Sequence, residues 1–209
     1  MQVRLSDDAP GQVRAGALVV ALFSDAPLEG TAKEIDASLG GVIGDALAAK
    51  EIQGRLGENV LIYAKDRPYR RVLAVSLGER ARFEPYFLAR YAGSAVRYLG
   101  RRNVEAIAIT LPPGAQGNEA QYASFISEGA ITGAFETTLY QGRPERGITI
   151  NEVSILDGGL DAAELARGIA RGTAIGEAVN LARRLAVTPA NDMTPTRLAE
   201  EATSAAQQS

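Results

Sequence analysis

Short runs rich in β-branched and aliphatic residues alternate with longer stretches of helical periodicity along this chain, and that alternation is the strongest constraint on its fold. The run Gly16-Ala17-Leu18-Val19-Val20-Ala21-Leu22-Phe23 is almost wholly apolar and is closed by Ser24-Asp25-Ala26-Pro27, the pattern of a strand covered on both faces. Residues 59–64 and 71–77 flank the turn-prone Asp66-Arg67-Pro68 and read as neighbouring antiparallel strands. Runs at 104–111 and 148–156, stopped by Pro112-Pro113-Gly114 and Asp157-Gly158-Gly159, read as two more. Between them, helical patterns cover about 31–50, 83–101, 118–139 and 161–187. In the second, Pro85 stands near the start, and Phe87, Leu88, Tyr91, Ala95, Tyr98 and Leu99 form a one-sided stripe suited to lying on a sheet. The expected fold is α/β, a three-layer sandwich, and its central sheet should be mixed because a hairpin-like pair sits among strands joined by helices.

The helix at 161–187 is the longest. Asp161 is placed to cap it, Glu164 lies in its first turn and Arg183-Arg184 near its end, all favourable to the helix dipole. Thr188-Pro189 stops it, and Asp192-Met193-Thr194-Pro195 opens another helix, with Thr194 as cap and Pro195 in the first turn. That helix runs to Gln207-Gln208-Ser209 with no partner legible in the sequence, so the chain is expected to be a fragment ending in the opening helix of a further unit.

The chain contains neither histidine nor cysteine, which excludes Ser-His-Asp and Cys-His nucleophilic sites, thiolate redox chemistry and His/Cys zinc motifs. A net charge of −3 creates no global field for nucleic acid or an anionic membrane. The N-terminus, Met1-Gln2-Val3-Arg4-Leu5-Ser6-Asp7-Asp8, has none of the features of a secretory signal, and no apolar run nears the ~20 residues needed to cross a bilayer. A cytoplasmic location and no membrane partner are expected.

Most candidate sites reduce to structure. Gly168, Gly172 and Gly176 recur every four residues on the long helix, at about 1 kcal/mol each relative to alanine, so something must approach that face closely. Gly129 and Gly133 repeat the device, and the two small-residue faces are expected to pack together. Leu39-Gly40-Gly41-Val42-Ile43-Gly44 lacks the first glycine of a dinucleotide fingerprint and falls within a helical pattern. Gly142 and Gly147 have P-loop spacing, but Ile148 stands where the lysine belongs. The acidic pairs Asp7-Asp8 and Glu200-Glu201, and the arginines Arg70-Arg71, Arg97, Arg101-Arg102 and Arg183-Arg184, read as solvated surface rather than as acid/base dyads or a nucleic-acid patch.

The last third is less generic. Glu128-Gly129-Ala130-Ile131-Thr132-Gly133-Ala134-Phe135 followed by Tyr140, then Ala178-Val179-Asn180-Leu181-Ala182-Arg183-Arg184-Leu185, then Thr188-Pro189-Ala190-Asn191-Asp192-Met193-Thr194-Pro195, resemble in order and spacing consecutive landmarks of the leucyl (cytosol) aminopeptidase family. The first 120 residues resemble it only in the order of strands and helices. The resemblance implies a macro-domain-like N-terminal sandwich over 1–158, a connecting helix over 159–189, and the start of a C-terminal peptidase domain over 190–209. In that family the catalytic segments, a lysine and aspartate before Ser-Gly-Gly and an Asn-Thr-Asp-Ala-Glu-Gly-Arg stretch, come later and are not found here. No catalytic, cofactor-binding or metal-ligating residue is therefore carried over; Pro189, Asn191 and Thr194 match a linker motif that ends one helix and begins the next.

By the same resemblance, the parent enzyme removes N-terminal residues from peptides with two divalent metals, manganese or zinc, held in the C-terminal domain. It is a hexamer, and this domain would serve assembly and active-site access. The expected partners are the chain's own C-terminal peptidase domain and further copies of itself, with this chain inactive alone. The alternatives are a DNA-binding module, disfavoured by charge, and an ADP-ribose or nucleotide-binding macro-like domain, which rests on fold alone.

Overall fold

The computed structural model describes residues 1–136 and 147–207. Residues 137–139 of the expected third helix, Tyr140, Gly142, Gln208 and Ser209 lie outside them. Among the described residues, six strands form one sheet in the order β1 (Gln2–Ser6), β6 (Glu152–Leu156), β5 (Ala106–Ile109), β2 (Ala17–Leu22), β4 (Arg71–Ser76), β3 (Asn59–Tyr63). All neighbours are parallel except β3, which runs antiparallel to β4 with Leu61 opposite Leu73. The sheet is thus mixed, and the expected hairpin pair supplies its one antiparallel edge.

The alternation of side chains along β2 defines two cores. Ala17, Val19 and Ala21 face a cluster with Leu88, Tyr91 and Leu99 of α3 (Phe87–Gly100), Ile126 of α4 (Glu119–Gly133) and Leu165 of α5 (Ala162–Val187). Leu18, Val20 and Leu22 face Ile35 of α1 (Gly30–Ser38), Ile43 of α2 (Val42–Ala48) and Tyr69. The central strand is buried throughout, as its unbroken apolar run requires. A last helix, α6 (Pro195–Gln207), buries none of its residues.

The structure departs from the expected elements at several places. The N-terminal segment is an edge strand, β1, whose polar–apolar alternation Gln2-Val3-Arg4-Leu5 is the period-two signature of a half-exposed strand. The strand expected at 104–111 shortens to β5. The one expected at 148–156 begins at Glu152, because Thr149 Oγ1 donates to the carbonyls of Gly100 and Val104, at 2.9 and 2.7 Å, and so ties this segment across the sheet end. The helix expected at 83–101 starts only at Phe87, after a 3-10 turn at Arg80–Arg82.

The pattern at 31–50 is two helices, not one. Gly40 and Gly41 take φ of +80° and +89°, a left-handed conformation that terminates α1 and re-aims the chain. Asp36 then reaches forward: its Oδ1 accepts from the backbone N–H of Ile43 at 2.7 Å and of Gly44 at 3.2 Å, capping α2 from the preceding helix. Asp36→Ala should therefore lower stability by about 1 kcal/mol in a urea titration, while Asp36→Asn, which keeps an acceptor, should recover most of the loss.

Candidate functional site

The glycines of the second half decide how α3, α4 and α5 stack. A Cβ at Gly168 would stand 2.2 Å from the Ala120 carbonyl oxygen, one at Gly172 2.0 Å from that of Ser124, and one at Gly176 2.9 Å from Ile131 Cβ. The α5 backbone thus rests on α4 at separations that no side chain permits. Gly129 and Gly133 are used differently. Their missing Cβ atoms point at Ala89 and Gly93 of α3, at 2.0 and 2.6 Å, and not at α5. The two helices do pack, but α4 presents its glycines to α3 and its Ala120 and Ser124 to α5.

The cap at Asp161 forms as expected, Oδ1 accepting from Ala163 N and Glu164 N at 2.9 and 3.2 Å. Beyond Gly176 the helix leaves the core, and polar contacts replace apolar ones. Asn180 Nδ2 donates to the Ile131 carbonyl at 2.9 Å and Arg183 to that of Thr132 at 3.2 Å, so both satisfy the carboxyl end of α4. Thr188 Oγ1 donates back to the Arg184 carbonyl, and the N–H groups of Asp192 and Met193 both donate to the Pro189 carbonyl, forming the turn into α6. Thr194 Oγ1 accepts from Arg197 N at 3.3 Å, as its cap role demands. Arg184 pairs with Glu201 at 3.1 Å and draws α6 back toward α5. An open cleft of about 870 Å³ remains there, lined by Phe135, Ala178, Leu181, Arg184 and Ala205.

A second cleft, of about 220 Å³, opens at the carboxyl ends of β5 and β6, against the start of α1, where open parallel sheets commonly bind ligands. Its lining includes Thr31, Thr110, Gln116, Asp157 and Leu160 but no lysine or arginine. A phosphate there would meet the Asp157 carboxylate and no countercharge, which disfavours a nucleotide. At the described residues of the other phosphate-loop candidates, carboxylates already take backbone N–H groups. Asp36 takes the N–H groups of Ile43 and Gly44, and Glu136 Oε1 accepts from Ile148 N beside Gly147.

The acidic pairs are far from any shared centre in sequence and bonding. Asp8 accepts from the Ser6 hydroxyl at 2.9 Å, and Glu201 is held by Arg184. Among the described residues no group of three or more His, Cys, Asp or Glu could hold a metal ion. The donor set of these residues does not fit a two-metal centre, and no chemical step is assigned to them. The arginines are less scattered than their sequence positions suggest: helix packing brings Arg183 of α5 close enough to Arg97 of α3 for their like charges to interact. Sequence spacing alone could not show this, since the residues are about eighty positions apart.

Residues 19–144 match the family model described as "Cytosol aminopeptidase family, N-terminal domain". A "Probable cytosol aminopeptidase" of Solibacter usitatus is 34% identical over 97% of this chain, which covers 39% of that protein. Among solved structures, a tomato leucine aminopeptidase mutant superposes with a TM-score of 0.82 at 22% identity, over 100% of this chain and 42% of that one. The macrodomain of Thermus aquaticus DarG shares the fold, with a TM-score of 0.53 at 12% identity over 74% of this chain and 97% of its own. The chain therefore spans about two fifths of the length of the aminopeptidases it matches, with the sandwich they share with macrodomains. With the glycine-stacked helices and the turn into α6 in place, the match is to a domain and not to isolated motifs: this chain belongs to the cytosol aminopeptidase family and corresponds to its N-terminal domain.

Proposed function

We propose that this chain is the non-catalytic scaffold of a metal-dependent aminopeptidase, with residues 1–158 forming the sandwich, 159–189 the connecting helix and 190–209 the threshold of a peptidase domain. The observation that carries this reading is the change of character along α5. Its first half buries Leu165, Gly168, Ile169, Gly172 and Gly176 against the sandwich, whereas after Gly176 no residue of α5 or α6 is buried. Ile175 of α5 is 37% exposed and Leu198 of α6 48% exposed. A long helix with one end embedded and one end bare is a device for holding a second body at a fixed distance.

In this reading the second body is a C-terminal peptidase domain that holds two divalent ions, manganese or zinc. When bound, such ions activate water and stabilise the oxyanion formed at the N-terminal peptide bond of a peptide substrate. The residues of this chain contribute position: the α4–α5 stack sets the direction of the connector, and the sandwich shapes assembly, expected to be hexameric, and access to the site. The chain alone should not turn over a leucyl chromogenic amide with added manganese or zinc. Turnover above a metal-only blank, retained through repeated purification, would refute the proposal.

A further inference from the structure

β3 is the last strand on its side of the sheet, and every second residue of its backbone has no strand to meet. Just past the two ends of the β3–β4 ladder, the Ala64 N–H donates to the Arg70 carbonyl at 3.0 Å and the Ser76 N–H to the Glu58 carbonyl at 2.8 Å. The bonded residues of this segment are thus the even-numbered ones, and Val60 and Ile62 turn their N–H and C=O groups toward β4. Asn59, Leu61 and Tyr63 turn theirs outward, where among the described residues no strand pairs with them. Exposed edges of this kind are normally guarded by a charge, a proline, a bulge or a covering element. The opposite edge, β1, carries Arg4 at its centre, whereas Asn59-Val60-Leu61-Ile62-Tyr63 holds neither a charge nor a proline. Leu61 packs against the core on the α3 side of the sheet and Val60 against the core on the α1–α2 side, while Tyr63 is 71% exposed.

The strand's own residues decide which partner fits. Paired antiparallel about Leu61, two copies of β3 match at every outward position: Leu61 exchanges N–H···O bonds with Leu61 of the other copy across a two-fold axis, and Asn59 does so with Tyr63. On one face Leu61 then meets Leu61, and on the other Val60 meets Ile62, so each apolar residue gains an apolar neighbour. Charge sets the direction. Glu58 precedes the strand and the net-positive Lys65-Asp66-Arg67 follows it, so antiparallel pairing sets the acidic end of one copy beside the basic end of the other, where parallel pairing would set like beside like. We propose that the β3 edge is an interface between two copies of this chain, joined as one continuous sheet by antiparallel β3–β3 pairing. The pairing depends on β3 and its flanks and not on the peptidase reading.

Analytical ultracentrifugation of the chain over a concentration series tests this, with amide hydrogen exchange followed by NMR at the same concentrations. A monomer–dimer equilibrium is expected in which the Leu61 amide becomes protected as the dimer fills, while the Val60 and Ile62 amides, bonded to β4, are protected at every concentration. Tyr63→Pro removes an outward donor that β4 does not use, at a place where an edge strand tolerates proline. It should weaken association by about tenfold or more, because symmetry removes the bond twice. Tyr63→Lys should weaken it too, by placing a charge on the edge, and decides the matter if the proline variant does not fold. Tyr86→Ala, which removes another exposed tyrosine just before α3, should leave dimerisation unchanged. A chain that stays monomeric up to about 1 mM would overturn the proposal, and protection of Leu61 in that monomer by an added extended peptide would give the edge to a foreign strand instead. A dimer that forms equally well with either folded Tyr63 variant, or one in which the Leu61 amide still exchanges freely, would overturn it as well.

Discussion

Replacing Gly168 and Gly172 together with alanine should destabilise the fold by about 3 kcal/mol or more, although the same change in a solvated helix would stabilise it. On propensity alone each alanine gains about 1 kcal/mol. Packing reverses the sign here. The two new Cβ atoms would lie 2.2 and 2.0 Å from the carbonyl oxygens of Ala120 and Ser124, and backbone atoms, unlike a flexible side chain, cannot swing aside. The helices would have to move apart by an ångström or more, opening the contact that seats Leu165 and Ile169 in the core. The two sites lie one turn apart, so their effects should not simply add. Gly11→Ala is the matched control, because nothing lies within 4 Å of its would-be Cβ, and it should change stability by less than about 0.5 kcal/mol. Urea unfolding followed by circular dichroism measures all three proteins. A double variant at least as stable as the parent would mean that α5 does not rest on α4 in this way, and the rigid connector would lose its physical basis.

Tyr91 is the second lever. Its ring is fully buried in the core between α3 and the sheet, and its hydroxyl reaches the carbonyl oxygens of Val19, within β2, and Thr110, just past β5, at 3.2 and 3.1 Å. Tyr91→Ala should cost about 3–5 kcal/mol through the cavity it leaves, and Tyr91→Phe about 1 kcal/mol for the lost hydrogen bonding. Burial also pushes the phenol well above its ordinary value near 10. In the unfolded chain Tyr91 therefore loses its proton as pH rises through about 10, while the folded chain retains it. The folded state then holds the extra proton, so stability present below pH 10 is lost as pH climbs from there toward the raised folded value. Tyr69 and Tyr122 are shifted the same way by burial and add to the slope. Tyr91→Phe should flatten this alkaline decline, visible as a smaller drop in unfolding temperature between about pH 9 and 11. A variant with the parent's slope would show that the hydroxyl is not sequestered.

Several of these features were legible before any coordinates. The run at Ala17–Leu22 could only be a strand covered on both faces, and the flanked turn at Asp66-Arg67-Pro68 predicted the one antiparallel pairing. Asp161, Thr194 and Pro195 announced their helix ends because capping is a local reaction between a side chain and the next few N–H groups. The edge strand β1 was legible in principle, since Val3 and Leu5 alternate with polar residues, but five such residues beside a chain terminus carry little weight. The break at Gly40-Gly41 escaped because the apolar spacing of residues 31–50 continues across it; periodicity reports which face is buried, not whether the helix axis is continuous.

What the sequence determined by itself was the class of the fold, the absence of histidine and thiol chemistry, and the identity of the linker into α6, all of which depend on composition or on residues a few positions apart. What only the tertiary structure decided were pairings between distant segments. Gly129 and Gly133 face α3 while Gly168 and Gly172 face α4, and Arg183 arrives beside Arg97. A glycine spacing states that a close approach occurs but not with what, and a lone arginine does not disclose its neighbours. Those answers depend on which helix faces the sheet leaves free once it has twisted and been covered, a property of the whole packed body and not of any window along the chain.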